Sequence, residues 1–284
     1  RGVAIACYAS AFGGGSAASL FAAGQLVRLS GWRLAMGATA LGPLLAALLA
    51  AFVLAPAPPP PGQASRLLDI RVLRNRPALW MIAGYCAHNW ELFGMRAWLP
   101  PFLAASLVQS GTGVVEASSF AAGWMAVVLL FGSASNIVGG WMSDRSGRTR
   151  VIVASQLSSA GFSLAIGWLF HAPLWLVMTA AVLYNVFASS DSGALSTGVT
   201  ELADPALLGA TLALQSCLGF LAAAISPGIA GFVLDAWQSG GGAAANSPWQ
   251  WGSAFGVLGL GVLMGPLSML ALRRAQATAL HDRP

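Results

Sequence analysis

Long stretches of this chain contain no Asp, Glu, Lys or Arg, and five of them, which are largely apolar throughout, constrain its fold more than any other feature. They cover residues 2–27, 117–143, 151–190, 205–234 and 236–272. About 20 helical residues cross the hydrocarbon core of a bilayer, so each stretch is long enough to span one. Only 8% of the 284 residues are charged and the mean hydropathy is +0.72, which excludes a soluble domain. The chain is therefore predicted to be an integral membrane protein.

The uncharged stretches are continuous rather than alternating, which favours helices over a transmembrane β-barrel. A helix also satisfies its own backbone hydrogen bonds in lipid. The stretch 151–190 is too long for one crossing, and His171, Ala172 and Pro173 mark the most plausible turn. We predict an all-α polytopic bundle of about eight transmembrane helices. Their predicted ranges are 3–27, 32–54, 79–99, 120–142, 151–170, 174–195, 207–234 and 251–272.

One connection differs from the others in composition. Residues 55–62 contain five prolines and form a polyproline-like, solvated spacer. Four arginines, Arg66, Arg71, Arg74 and Arg76, follow it just before the third predicted span. They are interpreted either as an ordinary basic juxtamembrane segment or as a specific lipid or protein site.

Arginine distribution predicts the orientation, since all 14 basic residues are arginine. If the loop after residue 142 is cytoplasmic, eleven arginines lie inside, Arg28 and Arg33 lie outside, and Arg96 lies within a span. This bias obeys the positive-inside rule and places both ends of the chain in the cytoplasm. A multi-pass protein of a bacterial inner (plasma) membrane is expected. The net charge of +5 then reflects topology and contact with the anionic lipid bilayer. It does not indicate that the protein binds nucleic acid.

A compact charged turn separates the fourth and fifth predicted spans. It has the pattern Gly-x-x-x-Asp-Arg-x-Gly-Arg-x-Arg. The fixed residues are Gly140, Asp144, Arg145, Gly147, Arg148 and Arg150. Taken alone, it is a well-made cytoplasmic hairpin whose arginines set topology. The pattern also resembles the loop signature of the major facilitator superfamily (MFS) of secondary transporters.

The resemblance implies a fold and a division of the chain. In that family the signature lies between helices two and three and often recurs between helices eight and nine; four spans precede it here and four follow. The chain is therefore similar to helices five to twelve, and we expect it to be truncated at its N-terminus, with the missing N-terminal helices as partners. The implied units are 1–54, the last two helices of the N-terminal bundle; 55–77, the central cytoplasmic loop; 78–273, the complete C-terminal six-helix bundle; and 274–284, a cytoplasmic tail.

The resemblance also implies a role for the motif. In the family, its acid and arginines form a cytoplasmic charge network that holds one global state and rearranges as the two bundles rock. Carried over by position, Gly140, Asp144, Arg145, Gly147 and Arg148 would serve gating rather than substrate contact. A purely topogenic role for the arginines remains the alternative.

Polar side chains interrupt the predicted span 79–99. They are His88, Asn89, Glu91 and Arg96. Glu91 lies near the bilayer midplane, where an ionised group is expensive unless it is paired or hydrated. It is interpreted as a protonation or ion-coupling site, or as half of a structural pair with another helix. Helical spacing lets it share a face with His88 and keeps it from pairing with Arg96, which either faces a solute path or snorkels to the headgroups.

Two prolines follow that span. Pro100 and Pro101 remove two backbone donors, so the helix is expected to break, bend or end there. A flexible external gate and a simple helix terminus are the two interpretations.

A second polar group occupies the predicted span 174–195. Tyr184 and Asn185 fall near mid-depth, where transporters of this architecture bind substrate. Asp191 lies further along and could reach cytoplasmic water. Asn185 is predicted either to line the solute path or to hydrogen-bond a neighbouring helix.

The remaining residues bound the function. The three cysteines, Cys7, Cys86 and Cys217, lack metal-binding spacing, and neither a metal nor a cofactor is predicted. No catalytic constellation or pore-filter repeat is visible in the sequence. We predict a secondary active transporter of a small-molecule solute, working by alternating access and coupled to a proton or ion, and not an enzyme. The alternatives are a membrane-embedded enzyme or a channel-type subunit.

Overall fold

A computed structural model describes residues 2–53, 69–239 and 246–281 of the chain. Within these ranges the regular structure is entirely helical. Three 3₁₀ turns, Ile70–Arg74, Gly167–Leu169 and Pro205–Leu207, accompany the α-helices. The α-helices are α1 (Gly2–Ser30), α2 (Trp32–Thr39), α3 (Leu41–Val53), α4 (Arg76–Gln109), α5 (Val114–Ser146), α6 (Arg148–Ile166), α7 (Leu174–Ser190), α8 (Ser192–Leu202), α9 (Leu208–Ser239), α10 (Pro248–Val262) and α11 (Met264–His281).

Among the described residues, six helical segments are long and apolar enough to cross a membrane, which indicates a multi-pass membrane protein. They are Trp32–Val53, Val114–Ser146, Arg148–Leu169, Leu174–Leu202, Pro205–Trp237 and Pro248–Ala277. The predicted spans 3–27 and 79–99 correspond to α1 and α4, which are long enough but are not among the six. Four polar or charged residues, His88, Asn89, Glu91 and Arg96, lower the apolar content of α4. The count of eight crossings stays a prediction.

Three of the predicted spans are each formed by two consecutive helices. α2 and α3 meet at Ala40, α7 and α8 at Asp191, and α10 and α11 at Leu263. Local helix breakers lie close to all three positions: Gly42 and Pro43 follow the first, Gly193 follows the second, and Gly265 and Pro266 follow the third. The predicted turn at residues 171–173 is confirmed, because α7 begins at Leu174.

The expected break at the paired prolines is wrong as a helix terminus. α4 continues through Pro100 and Pro101 to Gln109, ten residues beyond the predicted end at 99. The next turn explains this, since Phe102 and Leu103 are completely buried and hold the helix on its course through packing. The cost of the two missing donors is thus offset by tertiary contacts.

Other boundaries also differ from the prediction. α4 begins at Arg76, where the Asn75 side chain caps it by accepting a hydrogen bond from the backbone N–H of Ala78 (3.2 Å). α11 runs to His281, so most of the predicted tail 274–284 is helical. The proline-rich spacer 55–62 and Arg66 lie outside the described residues.

An aromatic cluster forms the centre of the bundle made by α4 to α11. Phe102 packs edge-on against Trp251 and Phe255, with ring centroids 5.3 and 5.4 Å apart. All three side chains are buried, Tyr184 packs against Phe255 from α7, and the cluster ties α4 to α7 and α10.

The first three helices pack differently from this bundle. α1 runs antiparallel to α5, because the Ser119 hydroxyl donates to the carbonyl of Gly24 (3.0 Å) while the Ser10 hydroxyl donates to the carbonyl of Ser133 (2.9 Å). α2 buries only Ala35, and α3 buries no residue. An apolar helix with no buried residue requires lipid or further protein around it.

Several helix ends meet on one side of the molecule, which we call the motif end. The Asn75 side-chain amide donates to the carbonyl of Leu202 (2.7 Å), joining the start of α4 to the end of α8. Arg273 in α11 donates to the hydroxyl of Thr149 at the start of α6 (3.0 Å). The turn between α5 and α6 therefore lies beside the middle of α11, and the start of α4 lies beside the end of α8.

Candidate functional site

Arg148 organises the charged groups at the motif end. Its guanidinium forms ion pairs with Asp144, one turn away along the chain, and with Glu201 at the end of α8. The Glu201 contacts are 2.9 Å from Nη2 and 3.3 Å from Nε. A third bond runs from Nη1 to the Ser143 hydroxyl (2.7 Å). Two motif residues, Asp144 and Arg148, are thus joined to an acid, Glu201, that the sequence pattern did not reveal.

The other motif residues shape the turn or lie at its surface. Gly147 has φ of 93°, a left-handed conformation that favours glycine, and it separates α5 from α6. Gly140 is buried near the end of α5. The Arg145 guanidinium lies over the Trp141 ring, 4.1 Å from its centroid, and contacts solvent. Close approach of helices occurs at Gly139, where an added Cβ would lie 1.8 Å from the carbonyl oxygen of Ser190.

A cavity of about 620 Å³ lies between α1, α4, α5, α8 and α9, and Ser189 near the end of α7 also lines it. This volume is within the range of small-molecule sites. Its walls combine aromatic side chains with many hydroxyls. The hydroxyls come from Ser10, Tyr85, Ser133, Ser189, Ser192, Ser196 and Ser216.

Three of the seven residues predicted for a solute or proton path line this cavity: His88, Asn89 and Arg96. The other four, Glu91, Tyr184, Asn185 and Asp191, are buried in the helix packing behind it. Helical spacing accounts for the division within α4, because positions 88, 89, 92, 93 and 96 share one face. Glu91 lies on the opposite side of that helix, toward α6.

A chain of polar contacts leads from the cavity wall into the bundle. His88 Nδ1 lies 2.8 Å from Asp191 Oδ1, although its N–H direction does not meet hydrogen-bond geometry, and His88 Nε2 lies 3.0 Å from the hydroxyl of Ser192. Gln156 Nε2 donates to Asp191 Oδ2 (2.9 Å) and to the carbonyl of Gly84 (3.2 Å). Asp191 is completely buried. The interruption between α7 and α8 therefore presents a carboxylate to α4 and α6.

Glu91 forms the second buried acid. Its Oε2 accepts a hydrogen bond from the Ser159 hydroxyl (2.6 Å), while Oε1 is buried and has no hydrogen-bond partner within the described ranges. The Tyr184 phenol lies beside Glu91 and donates to the hydroxyl of Ser163 (2.8 Å). Glu91 and Asp191 both contact the polar face of α6, through Ser159 and Gln156 respectively. Two acids thus share the interior, and no arginine pairs with either in the described part of the chain.

Asn185 joins two helices. Its Nδ2 donates to the carbonyl of Val128 in α5 (2.7 Å), and its Oδ1 accepts from Ser189 (3.3 Å). It is completely buried and is not part of the cavity wall. This geometry favours the helix-to-helix interpretation over the lining one.

Sequence reasoning missed the polar face of α6 and the amide of Asn136. Gln156, Ser159 and Ser163 recur at offsets of three and four, which is the spacing of one helix face, and this stripe could have been detected. Asn136 accepts a hydrogen bond from the backbone N–H of Gly193 (3.0 Å), next to the α7–α8 interruption. A lone asparagine in an apolar span carries no such pattern.

Comparison of the chain with protein-family models finds no match. Comparison with curated proteins finds no match either.

Proposed function

We propose that the chain forms most of a secondary active transporter that moves a small solute by alternating access, coupled to a proton. In this proposal it corresponds to helices five to twelve of an MFS-like fold, crosses a bacterial plasma membrane eight times and has both ends in the cytoplasm. The observation that carries the proposal is the cavity of about 620 Å³ backed by two buried acids, Glu91 and Asp191. A solute site and a titratable site therefore lie next to each other.

Glu91 is proposed as the main coupling residue. Burying a carboxylate without a cation costs several kcal/mol, whereas a protonated carboxyl group is much cheaper to bury. Gain and loss of a proton at Glu91 would therefore change which arrangement of the helices is stable. Asp191 is the second candidate, since the His88 ring lies between it and the cavity and gives a route for protons.

The motif end is proposed as a gate. Arg148 holds the start of α6 to the end of α8 through Glu201, and Gly147 lets the turn reverse sharply. Breaking the Arg148–Glu201 pair would free one end of the cavity while the aromatic cluster kept the bundle together. Alternating access requires an interaction of this kind, present in one state and lost in the other.

Reciprocal labelling of the cavity tests the proposal. The experiment replaces Cys7, Cys86 and Cys217 by Ala and introduces Ser133→Cys, which exchanges one cavity hydroxyl for a thiol. An impermeant thiol reagent is then applied to right-side-out or inside-out vesicles. A transporter gives labelling from either side, and locking one side closed by cross-linking increases labelling from the other.

The two alternative classes give different results. A channel-type subunit would label from both sides at once, with no reciprocity. A membrane-embedded enzyme would label from one side under all conditions, and that outcome would reject transport.

A further inference from the structure

Among the described residues, the charged side chain that lines the cavity between α1, α4, α5, α8 and α9 is a cation. Arg96 lines it, and no Asp or Glu of the described residues does. Within the described ranges Arg96 has no ion-pair partner, and the nearby acids are engaged elsewhere, Glu91 with Ser159 and Asp191 with Gln156 and His88. The cavity therefore contains a fixed positive charge without a counter-charge in this part of the chain.

Two buried donors in the wall lack acceptors. Nε of Arg96 and Nδ2 of Asn89 have almost no solvent-accessible surface and no hydrogen-bond partner among the described residues. Both residues line the cavity, and most buried polar atoms in proteins are paired, so unpaired donors in this wall indicate a missing acceptor. Both groups donate here, which points to a ligand that carries acceptors.

Their spacing sets the outline of that ligand. Asn89 and Arg96 are seven residues apart on α4, so they lie on one face and about 10 Å apart along the helix axis. Leu92, Phe93 and Phe220 line the wall around this face, and the rings of Phe93 and Phe220 pack edge to face at 6.0 Å. A suitable ligand has an acceptor at each end and an apolar middle.

The two ends are not equivalent. The guanidinium of Arg96 lies 5.9 Å from the centroid of Phe12 and 6.0 Å from that of Phe93, near the outer limit of cation–π attraction. Such contacts are too weak to replace a counter-ion in a low-dielectric site. A carboxylate suits the planar fork of an arginine and forms the strongest class of hydrogen bond with it. Asn89 requires only a neutral acceptor.

We propose that this cavity binds organic monocarboxylates with an apolar or aromatic body, with the carboxylate on Arg96 and a second, neutral acceptor on Asn89. This inference rests on the proposed transport function, because it names the class of solute for the same cavity. It assigns the specificity for the solute to Arg96 and Asn89 of α4, and not to the buried acids Glu91 and Asp191.

Equilibrium binding to the purified chain in lipid nanodiscs tests the inference without requiring transport. The probes are 4-acetylbenzoate, benzoate, the neutral benzamide and the cationic benzylamine, followed by tryptophan fluorescence or isothermal titration. We expect 4-acetylbenzoate to bind more tightly than benzoate, and both to bind at least tenfold more tightly than benzamide or benzylamine.

Variants of Arg96 and Asn89 assign the contacts. Arg96→Gln should weaken benzoate binding more than tenfold and remove the preference for benzoate over benzamide. Arg96→Lys should retain part of this preference. Asn89→Ala should weaken 4-acetylbenzoate severalfold and leave benzoate unchanged. Arg33→Gln is the matched control, since Arg33 lies over Trp32 in α2, away from the cavity. Retained benzamide binding and melting temperature would show that each variant is folded.

Three results would overturn the inference: benzamide binding as tightly as benzoate, benzoate binding that survives Arg96→Gln, or no saturable binding of either carboxylate. Uptake is measured separately, in the full-length protein that supplies the N-terminal helices expected to be missing here, so the two proposals fail independently. Arg96-dependent binding without uptake contradicts transport alone. Uptake restricted to cations or neutral solutes contradicts the anion site alone.

Discussion

The guanidinium of Arg148 contacts the carboxylate of Glu201 through two nitrogen–oxygen pairs, 2.9 and 3.3 Å long, and so joins α6 to α8. The side chain of Glu201 is 40% exposed, and a pair of this exposure contributes at most about 1 kcal/mol to stability. Its importance is therefore expected in the balance between conformations, where about 1 kcal/mol changes a population ratio roughly fivefold.

Arg148→Ala should change labelling of the Ser133→Cys cavity probe several-fold from the motif side and leave the melting temperature nearly constant. The charge-swapped pair Arg148→Glu with Glu201→Arg should restore part of the original labelling, because it re-forms the ion pair. Arg150→Ala is the control, since Arg150 is exposed on the same turn. Equal effects at Arg148 and Arg150 would mean that net charge, not the pair, is responsible.

Gly139→Ala should destabilise the protein by about 1–3 kcal/mol. The added methyl carbon would lie 1.8 Å from the carbonyl oxygen of Ser190, and backbone atoms can only make room by separating α5 from α7. Thermal unfolding in detergent measures the effect. Gly123→Ala in the same helix has no atom within 4 Å of the new carbon, so its melting temperature should stay the same or rise.

In the full-length protein, Glu91→Gln should abolish proton-driven accumulation of solute and leave exchange of solute without a gradient intact. The amide keeps the size of the side chain and the contact to Ser159 but does not titrate. Glu116→Gln is the matched control, because Glu116 is exposed in the first turn of α5. Proton-driven uptake that survives Glu91→Gln would transfer the coupling role to Asp191.

Asn185→Ala should lower stability by about 1 kcal/mol, the value of an interhelical hydrogen bond in a membrane protein. It removes the 2.7 Å bond to the carbonyl of Val128. Solute binding should be unchanged. Asn89→Ala should show the reverse pattern, so measuring both variants by unfolding and by binding separates a structural asparagine from a lining one.

Cysteines at two matched serines test sidedness. In the background without native cysteines, Ser146→Cys at the motif end should react with an impermeant reagent only from the cytoplasm. Ser110→Cys, after the end of α4, should react only from outside. Both serines are exposed and donate to a backbone carbonyl of the preceding helical turn, so their local structure is comparable. The opposite pattern would invert the proposed orientation.

Composition and run length were sufficient to predict an all-helical membrane protein and the turn at residues 171–173. These properties depend on local sequence, since an uncharged run of a given length has few alternatives in lipid. The same reasoning singled out His88, Asn89 and Arg96, which line the cavity, because a polar group within an apolar run requires a reason.

Interactions between distant segments were beyond such reasoning. Glu201 lies 53 residues from Arg148, and Ser159 lies 68 residues from Glu91. At the interruption at Asp191 a buried carboxylate meets Gln156 and His88, and local sequence does not identify these partners from other helices. The path of α4 through Pro100 and Pro101 likewise depends on the packing of the residue that follows them, Phe102.

If α4 crosses the membrane as proposed, Arg96 in the cavity wall would couple this site to the membrane voltage. Moving a unit charge across the whole membrane changes its free energy by about 2.3 kcal/mol for every 100 mV of membrane potential. This is more than a typical surface ion pair contributes to stability. Any shift of α4 across the membrane would make occupancy of the cavity depend on the membrane potential. A monoanion that moves together with Arg96 would cancel its charge and remove this dependence.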